Sequence, residues 1–280
     1  MPPRGPRRLG GPHATAYRGG VDPAERFAAE AASPDPSLEV LAVSIAGCDH
    51  PVDPEAVSLR LDQLAAGFAA TGRHGAVELC RHLFAEQGLR GNTERYYDPA
   101  NSFLDRVLAR RLGIPISLSV VGILVGDRAG VPLVGVGMPG HFLLRDAHDA
   151  GLFLDPFTGG VALDVDDCRR RFERLHGTAT DFDESLLEPT PTLEIVGRML
   201  MNLTSIYLQG VERASLAWVL RLRASLPAAT PALIRQLGGV LAAEGRWWEA
   251  AEAYERIAAM LPDAADRYLT EARRLRAHAN

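Results

Sequence analysis

The chain has 280 residues, 47% of them hydrophobic and 23% charged, a composition that supports a packed core and excludes a disordered or fibrous protein. Its 30 positive charges are all arginines, and the net charge of −5 gives no general attraction for phosphate, which argues against a nucleic-acid partner. The three cysteines, Cys48, Cys80 and Cys168, are too few and too widely spaced for a disulfide framework, so we expect a reduced, cytoplasmic protein.

Neither a leader, a membrane segment nor a cofactor is expected. Residues 1–23 are rich in Pro, Gly and Arg without periodicity and predict a disordered tail that lacks the apolar stretch of a secretory signal. The longest uncharged runs, 113–126 and 129–144, have 14 and 16 residues, fewer than the roughly 20 that span a bilayer. Cys48 and His50 share a loop-like GCDHPVDP stretch, but two ligands do not make a metal site.

From Pro23 to about Gly91 the pattern is helical. Cys80 lies on an apolar stripe and predicts a small buried side chain, as does Cys168 in a stripe with Phe172 and Leu175. Two stretches show the i, i+3, i+4 apolar spacing of amphipathic helices: Leu59, Leu61, Leu64 and Phe68, and then Val77, Cys80, Leu83 and Phe84.

The middle of the chain predicts an α+β domain. Asn101 or Ser102 can cap a helix over FLDRVLARRLG, which Gly113 would end, and Pro115 then opens a second helix that is apolar nearly all round. VPLVGVGM, HFLLR and GLFLDPF follow as short strands separated by turns. A proline-spaced linker at 188–192 predicts a boundary, which gives a tail at 1–23, an α+β domain at 24–188 and a helical domain at 189–280.

The last segment resembles tetratricopeptide (TPR) repeats. Such helices could offer a groove to a partner protein, but about three repeats are usual for an independent array, so we expect four or five helices that cap the α+β domain, with protein contact as a secondary role. One copy matches at Ile234, Leu237, Gly238, Leu241, Gly245, Ala250, Tyr254, Ile257 and Pro262, and a weaker copy at Leu200, Leu203, Tyr207, Val219, Leu222 and Pro227.

Three segments contain residues suited to nucleophilic catalysis. Ser117 and Ser119 lie at a helix start, His141 at a strand start and Asp155 at the end of the next strand. A hydroxyl near a helix N-terminus, a histidine that takes its proton and an acid that orients the imidazole form a triad. We expect His141 and Asp155 to lie within hydrogen-bonding reach on neighbouring strands that face the start of the Pro115 helix.

Three longer motifs include these residues: YYDPANSFLDRVLARRLGIPISLSV at 96–120, GVGMPGHFLLR at 135–145 and LDPFTGG at 154–160. In these motifs and in their order the chain resembles the bacterial SirB-type proteins, which join a transglutaminase-like domain of the papain-like type to TPR-like helices. It implies that His141 and Asp155 match the catalytic His and Asp. It also implies that Pro115 stands where active transglutaminases have the nucleophilic Cys, so that the thiol and one backbone N–H are both missing.

Three functions are therefore open. The first, which we favour, is a non-catalytic module that binds a peptide or protein segment in the cleft of the former active site. The second is a hydrolase or acyl transferase that uses Ser117, His141 and Asp155, although Ser117 is better suited to a structural role in the first helical turn. The third is a pure TPR adaptor, which the short repeat array disfavours.

Overall fold

The computed structural model describes residues 21–177, 180–210 and 213–279. The predicted tail lies outside the described residues except at its end, where the Asp22 side chain accepts a hydrogen bond from the N–H of Ala24 and caps the first helix. Within the described ranges no helix is both long and apolar enough to cross a membrane.

Four helices form the N-terminal part, which was predicted to be helical; the two amphipathic stretches correspond to the third helix and to the fourth helix with the turn that continues it. Asp22, Ser37 and Asp53 cap the first three through side-chain oxygens that accept hydrogen bonds from backbone N–H groups of the first turn. The bounds are α1 Pro23–Ala31, α2 Leu38–Asp49, α3 Pro54–Ala69 and α4 Ala76–Cys80, and a π-helical turn, Arg81–Glu86, continues α4.

Some individual predictions in the apolar stripes are wrong. Leu59 and Leu175 are each 58% exposed and Val77 is 42% exposed, because each lies at the edge of its stripe, where the helix turns toward solvent. Cys48 lies in the last turn of α2, so the loop predicted there begins only at His50.

The predicted capping of the fifth helix is also wrong. Helix α5, Leu104–Arg110, begins after Phe103 without a side-chain cap, and it ends at Arg111, whose φ of 57° is left-handed. Asn101 instead belongs to a 3₁₀ turn and donates hydrogen bonds to the carbonyls of Arg95 and Tyr96, so it fixes the preceding loop. Strand β1, Arg90–Gly91, precedes this loop and strand β2, Leu112–Gly113, follows α5; the two short strands pair in parallel.

The buried helix α6, Pro115–Ala129, packs against an antiparallel sheet. A side chain at Gly122 would lie 2.5 Å from Leu144, so glycine permits this close approach of helix and sheet. Helix α7, Val165–His176, covers the opposite face of the sheet, where Cys168 and Phe172 are buried as predicted. The strands pair in chain order: β3 Leu133–Val136, β4 Leu143–Asp146, β5 Phe153–Asp155 and β6 Val161–Leu163, the last of which the sequence did not predict.

Five helices follow among the described residues. The first two contact the helices of the preceding part, as expected of residues 190–280, whereas the other three stack in succession on the second of them. Ile195, Val196 and Met199 of α8 are at most 3% exposed and belong to the same hydrophobic core as α6 and the N-terminal helices. The TPR assignment of these helices stays a prediction. Their bounds are α8 Thr192–Gln209, α9 Arg213–Ser225, α10 Pro231–Ala243, α11 Trp247–Met260 and α12 Ala265–His278.

Candidate functional site

A cleft of about 870 Å³ separates the start of α6 from the C-terminal helices. One wall contains Pro115 and the loop before β4, and the other consists of one face of α8 together with the segment between α9 and α10. The C-terminal helices thus form part of the cleft. Its lining is mainly apolar with a few polar groups, among them His141, Glu194, Arg198, Asn202 and Arg223.

Pro115 is the first residue of α6 and lines the cleft. Proline is well suited to this position because its fixed φ matches the helix and its missing N–H would have no partner within the helix. The resemblance places the nucleophile at this residue, and the structure places the residue in the cleft. The side chain here can contribute apolar contact only.

Ser117 does not face His141. Its side chain is buried at 1% exposure, its hydroxyl donates a hydrogen bond to the Asn101 carbonyl at 2.6 Å, and its oxygen accepts one from the Ile114 N–H at 3.0 Å. A side chain at Gly113 would lie only 2.8 Å from this oxygen, so Gly113 leaves the space that it needs. The hydroxyl therefore joins the first turn of α6 to the preceding loop.

Ser119, the other candidate serine, lies two residues further into α6, is fully buried and does not line the cleft. Neither serine is placed to attack a substrate in the cleft in this conformation.

His141 and Asp155 lie close together, on the segment before β4 and at the end of β5. Nε2 of His141 is 3.1 Å from Oδ2 of Asp155, an ion-pair distance at which the two groups are not aligned as a hydrogen bond. The His141 ring is 14% exposed and lines the cleft, whereas Asp155 is fully buried behind it. The predicted pair is present, and only its histidine is accessible to a ligand.

Asp155 is shared with a third residue, Arg171 of α7. The guanidinium of Arg171 donates a hydrogen bond to Oδ2, the same oxygen that faces His141, while Oδ1 accepts bonds from the N–H groups of Phe157 and Thr158. Burial raises the pKa of Asp155, but His141, Thr158 and Arg171 outweigh it and hold the pKa at about 2. His141 and Arg171 therefore share one carboxylate oxygen, so Asp155 is not dedicated to orienting the imidazole.

The loop that presents His141 is held by Arg198 of α8. This guanidinium donates hydrogen bonds to the carbonyls of Gly137, Met138 and His141, and it lies 5.3 Å from the centre of the Phe142 ring. Arg198 is thus a positioning residue that joins the C-terminal helices to the histidine loop.

The cysteines offer no alternative nucleophile. Burial raises the pKa of Cys48, Cys80 and Cys168 to about 12 in each case, so the thiols are protonated at neutral pH, and none of them lines the cleft. Within the described ranges, no group of three His, Cys, Asp or Glu side chains is arranged to hold a metal ion.

Sequence reasoning missed Arg171 and the polar face of α8. Arg171 follows Cys168 by three residues and so lies on its face of the helix, a signal that singles it out from its arginine neighbours. Glu194, Arg198 and Asn202 recur every four residues, which places them on one face of α8. The spacing can be seen in the sequence, but the sequence does not show that this face of α8 forms one wall of the cleft.

Comparison with known proteins agrees with this architecture. The family model described as "Transglutaminase-like superfamily" matches residues 55–201, just over half of the chain, and includes α6, the sheet and the first part of α8. The chain therefore belongs to the transglutaminase-like superfamily. The matched limits do not test the domain bounds predicted at 24 and 188.

The relatives define the family within that superfamily as the UPF0162 proteins. UPF0162 protein PA3419 of Pseudomonas aeruginosa is 34% identical over 193 residues, 67% of this chain and 71% of that protein. A UPF0162 protein of Xylella fastidiosa (strain Temecula1) is 49% identical over 132 residues, 45% of this chain and 47% of that protein, so the match spans about half of the relative's length.

A eukaryotic protein also matches. F-box only protein 21 of Mus musculus is 33% identical over 133 residues, 44% of this chain but only 20% of that protein. No solved structure matches the chain significantly. The SirB-type label and the TPR assignment remain interpretations of the sequence motifs.

Proposed function

We propose that this protein is a non-catalytic member of its superfamily that binds a peptide or protein segment in the cleft between α6 and the C-terminal helices. The observation that supports it most is Pro115, which lines the cleft at the helix start where a catalytic member would present a thiol. A proline has neither a nucleophilic atom nor an N–H that could stabilise an oxyanion.

The remaining catalytic groups support the same conclusion. A serine nucleophile needs a base within hydrogen-bonding distance, and the Ser117 hydroxyl is engaged with backbone groups of Asn101 and Ile114 instead. His141 faces a carboxylate that Arg171 shares. The serine hydrolase or acyl transferase would need Ser117 to turn and His141 to move toward it.

The cleft is suited to an extended peptide. Apolar side chains from both walls, such as Ile116, Phe142 and Leu226, can bury a ligand's side chains, and the interspersed polar groups can orient its backbone. Contact with a partner through the outer face of the C-terminal helices, where Trp248 is 53% exposed, belongs to this proposal as a secondary role.

Two measurements on the full-length chain test the proposal. In the first, the protein is treated with a fluorophosphonate and with a thiol alkylator, and the adducts are mapped by mass spectrometry. We expect no adduct at Ser117. Fluorophosphonate labelling of Ser117 that disappears in His141→Ala would establish the serine enzyme instead.

The second measurement is selection of displayed random peptides on the immobilised protein, with a variant that obstructs the cleft. Gly197 lines the cleft, and a Cβ added at this position would lie 3.6 Å from Cδ1 of Leu226. A leucine side chain at position 197 would therefore occupy part of the cleft, and Gly197→Leu should abolish binding. Gly239→Leu, at an exposed helix position with open space around it, is the matched control and should bind normally. Equal binding by both variants would contradict the cleft as the binding site.

A further inference from the structure

The cleft contains a cation without a counter-ion. Arg223, near the end of α9, is partly buried, and burial lowers the pKa of its guanidinium without any neighbouring charge to offset it. Its neighbour Arg221 differs, since it pairs with Glu249. Among the described residues Arg223 forms no ion pair, and an uncompensated charge in a partly buried place is costly unless a ligand pairs with it.

Arg223 also has donors to spare. Its Nη1 donates to the Thr204 hydroxyl oxygen at 3.2 Å, and within the described chain Nε and Nη2 have no hydrogen-bond partner. Arg198, the other arginine of the lining, is committed to the three backbone carbonyls of the histidine loop. Of the two arginines in the described lining, Arg223 is therefore the one that is free to bind an anion.

The surroundings of Arg223 favour a carboxylate attached to an apolar peptide. Glu194 is the one acidic residue in the described lining, against the two arginines, so the cleft has an excess of positive charge. Asn202 adds an amide donor, and Leu226 and Leu233 add apolar surface.

We propose, building on the peptide-binding function above, that the cleft recognises the side chain of an Asp or Glu within a peptide, which Arg223 and Asn202 bind while the adjacent leucines bury a neighbouring apolar residue. Arginine forms charge-assisted, often bidentate, hydrogen bonds with carboxylates. We assign an internal acidic residue because arginine side chains are typical of sites for acidic motifs, whereas terminal carboxylates are generally captured by backbone N–H groups.

The test is a selection of short random peptides, displayed between Gly-Ser linkers so that no free C-terminus is present. Peptides selected by the wild-type protein should be enriched in Asp or Glu next to apolar residues. A selected peptide is then synthesised with blocked termini in three forms: the original, its Gln or Asn counterpart, and that counterpart with a free C-terminal carboxylate. Affinities are measured by calorimetry.

We expect the acidic peptide to bind most tightly and Arg223→Gln to weaken it by about tenfold or more, the value of a charged hydrogen bond. The neutral peptide should bind both proteins alike. Asn202→Asp should weaken the acidic peptide selectively, because it adds a negative charge beside it. Arg235→Gln, which changes an exposed arginine of α10 outside the lining, is the control and should have no effect.

If Arg223→Gln lowers the melting temperature, Arg223→Lys keeps the charge without the planar fork and should give an intermediate affinity. Equal binding of the acidic and neutral peptides, or tighter binding of the free C-terminus, would overturn this inference, while loss of binding in Gly197→Leu would still support peptide binding in the cleft. Failure to select any peptide would overturn both.

Discussion

Replacement of Asp155 by Asn tests whether this carboxylate serves the structure through Arg171. The substitution keeps the size of the side chain and leaves Oδ1 able to accept from the N–H groups of Phe157 and Thr158. The other oxygen becomes an NH₂ group, which would then face the guanidinium of Arg171 and Nε2 of His141. Arg171 would lose its counter-charge in a largely buried place.

The structure indicates the magnitude of the loss. A pKa of about 2 in place of 3.8 corresponds to roughly 2 kcal/mol in favour of the charged, folded form of Asp155. Removing one partner of a buried pair costs about 3 to 5 kcal/mol. Because Arg171 is 24% exposed and can regain some hydration, we expect Asp155→Asn to lower the free energy of unfolding by about 2 to 3 kcal/mol at pH 7.

The assay is urea unfolding followed by circular dichroism, since urea does not screen charges as guanidinium does. The contribution of Asp155 should be fully present above pH 4 or so and should be lost as the pH falls through about 2, so the variant should differ little from wild type in strong acid. The double variant Asp155→Asn/Arg171→Met should be less destabilised than the sum of the single variants. Additive effects, or a change below about 0.5 kcal/mol in Asp155→Asn, would refute the reasoning.

Three further outcomes are expected. Hydrogen bonds to Asp105 and Asp49 raise the pKa of His50 to about 9, so the stability that protonated His50 contributes is complete below about pH 6.5 and is lost as the pH rises through 9. Between pH 7 and 10 the melting temperature should therefore fall more steeply in wild type than in His50→Gln. Parallel curves for the two proteins would contradict this. Gly160 has a φ of +78°, and an added Cβ would lie only 2.9 Å from the Cys80 carbonyl oxygen, whereas Gly159 has a φ of +86° in open surroundings. Gly159→Ala should lower the free energy of unfolding in urea by about 1 kcal/mol, and Gly160→Ala should lower it by more. Equal losses would show that contact with Cys80 contributes nothing. A 24–188 fragment should melt lower or aggregate, because it exposes the core surface that α8 covers, and a monodisperse fragment of unchanged melting temperature would show that the C-terminal helices are not a cap.

The candidate site was predictable as a set of segments but not as a set of contacts. The motif order placed His141 beside Asp155 and Pro115 at the helix start, and the structure brings all three to one region. Ser117 belongs to the same motif, yet its hydroxyl bonds to Asn101, sixteen residues earlier, and no local pattern predicts that partner. Asn101 was in turn expected to cap α5, but its side chain instead bonds to backbone carbonyls of the preceding loop, at residues 95 and 96.

The sequence by itself determined the helical character of both ends of the chain, three of the four antiparallel strands and the resemblance to the superfamily, but not β1, β2 or β6. Apolar spacing is a local property, so it predicts the helices, and a buried helix followed by short strands separated by turns suffices to predict the α+β architecture. The proline at position 115 can likewise be read directly, and with it the absence of a thiol. The tertiary structure alone decided that Arg171 shares Asp155, that Arg198 holds the histidine loop and that Arg223 faces the cleft unpaired. Each of these contacts depends on which distant segment packs against a given helix face. The local sequence around an arginine that stays exposed does not differ from the local sequence around one that a distant segment covers, so the sequence pattern cannot distinguish the two.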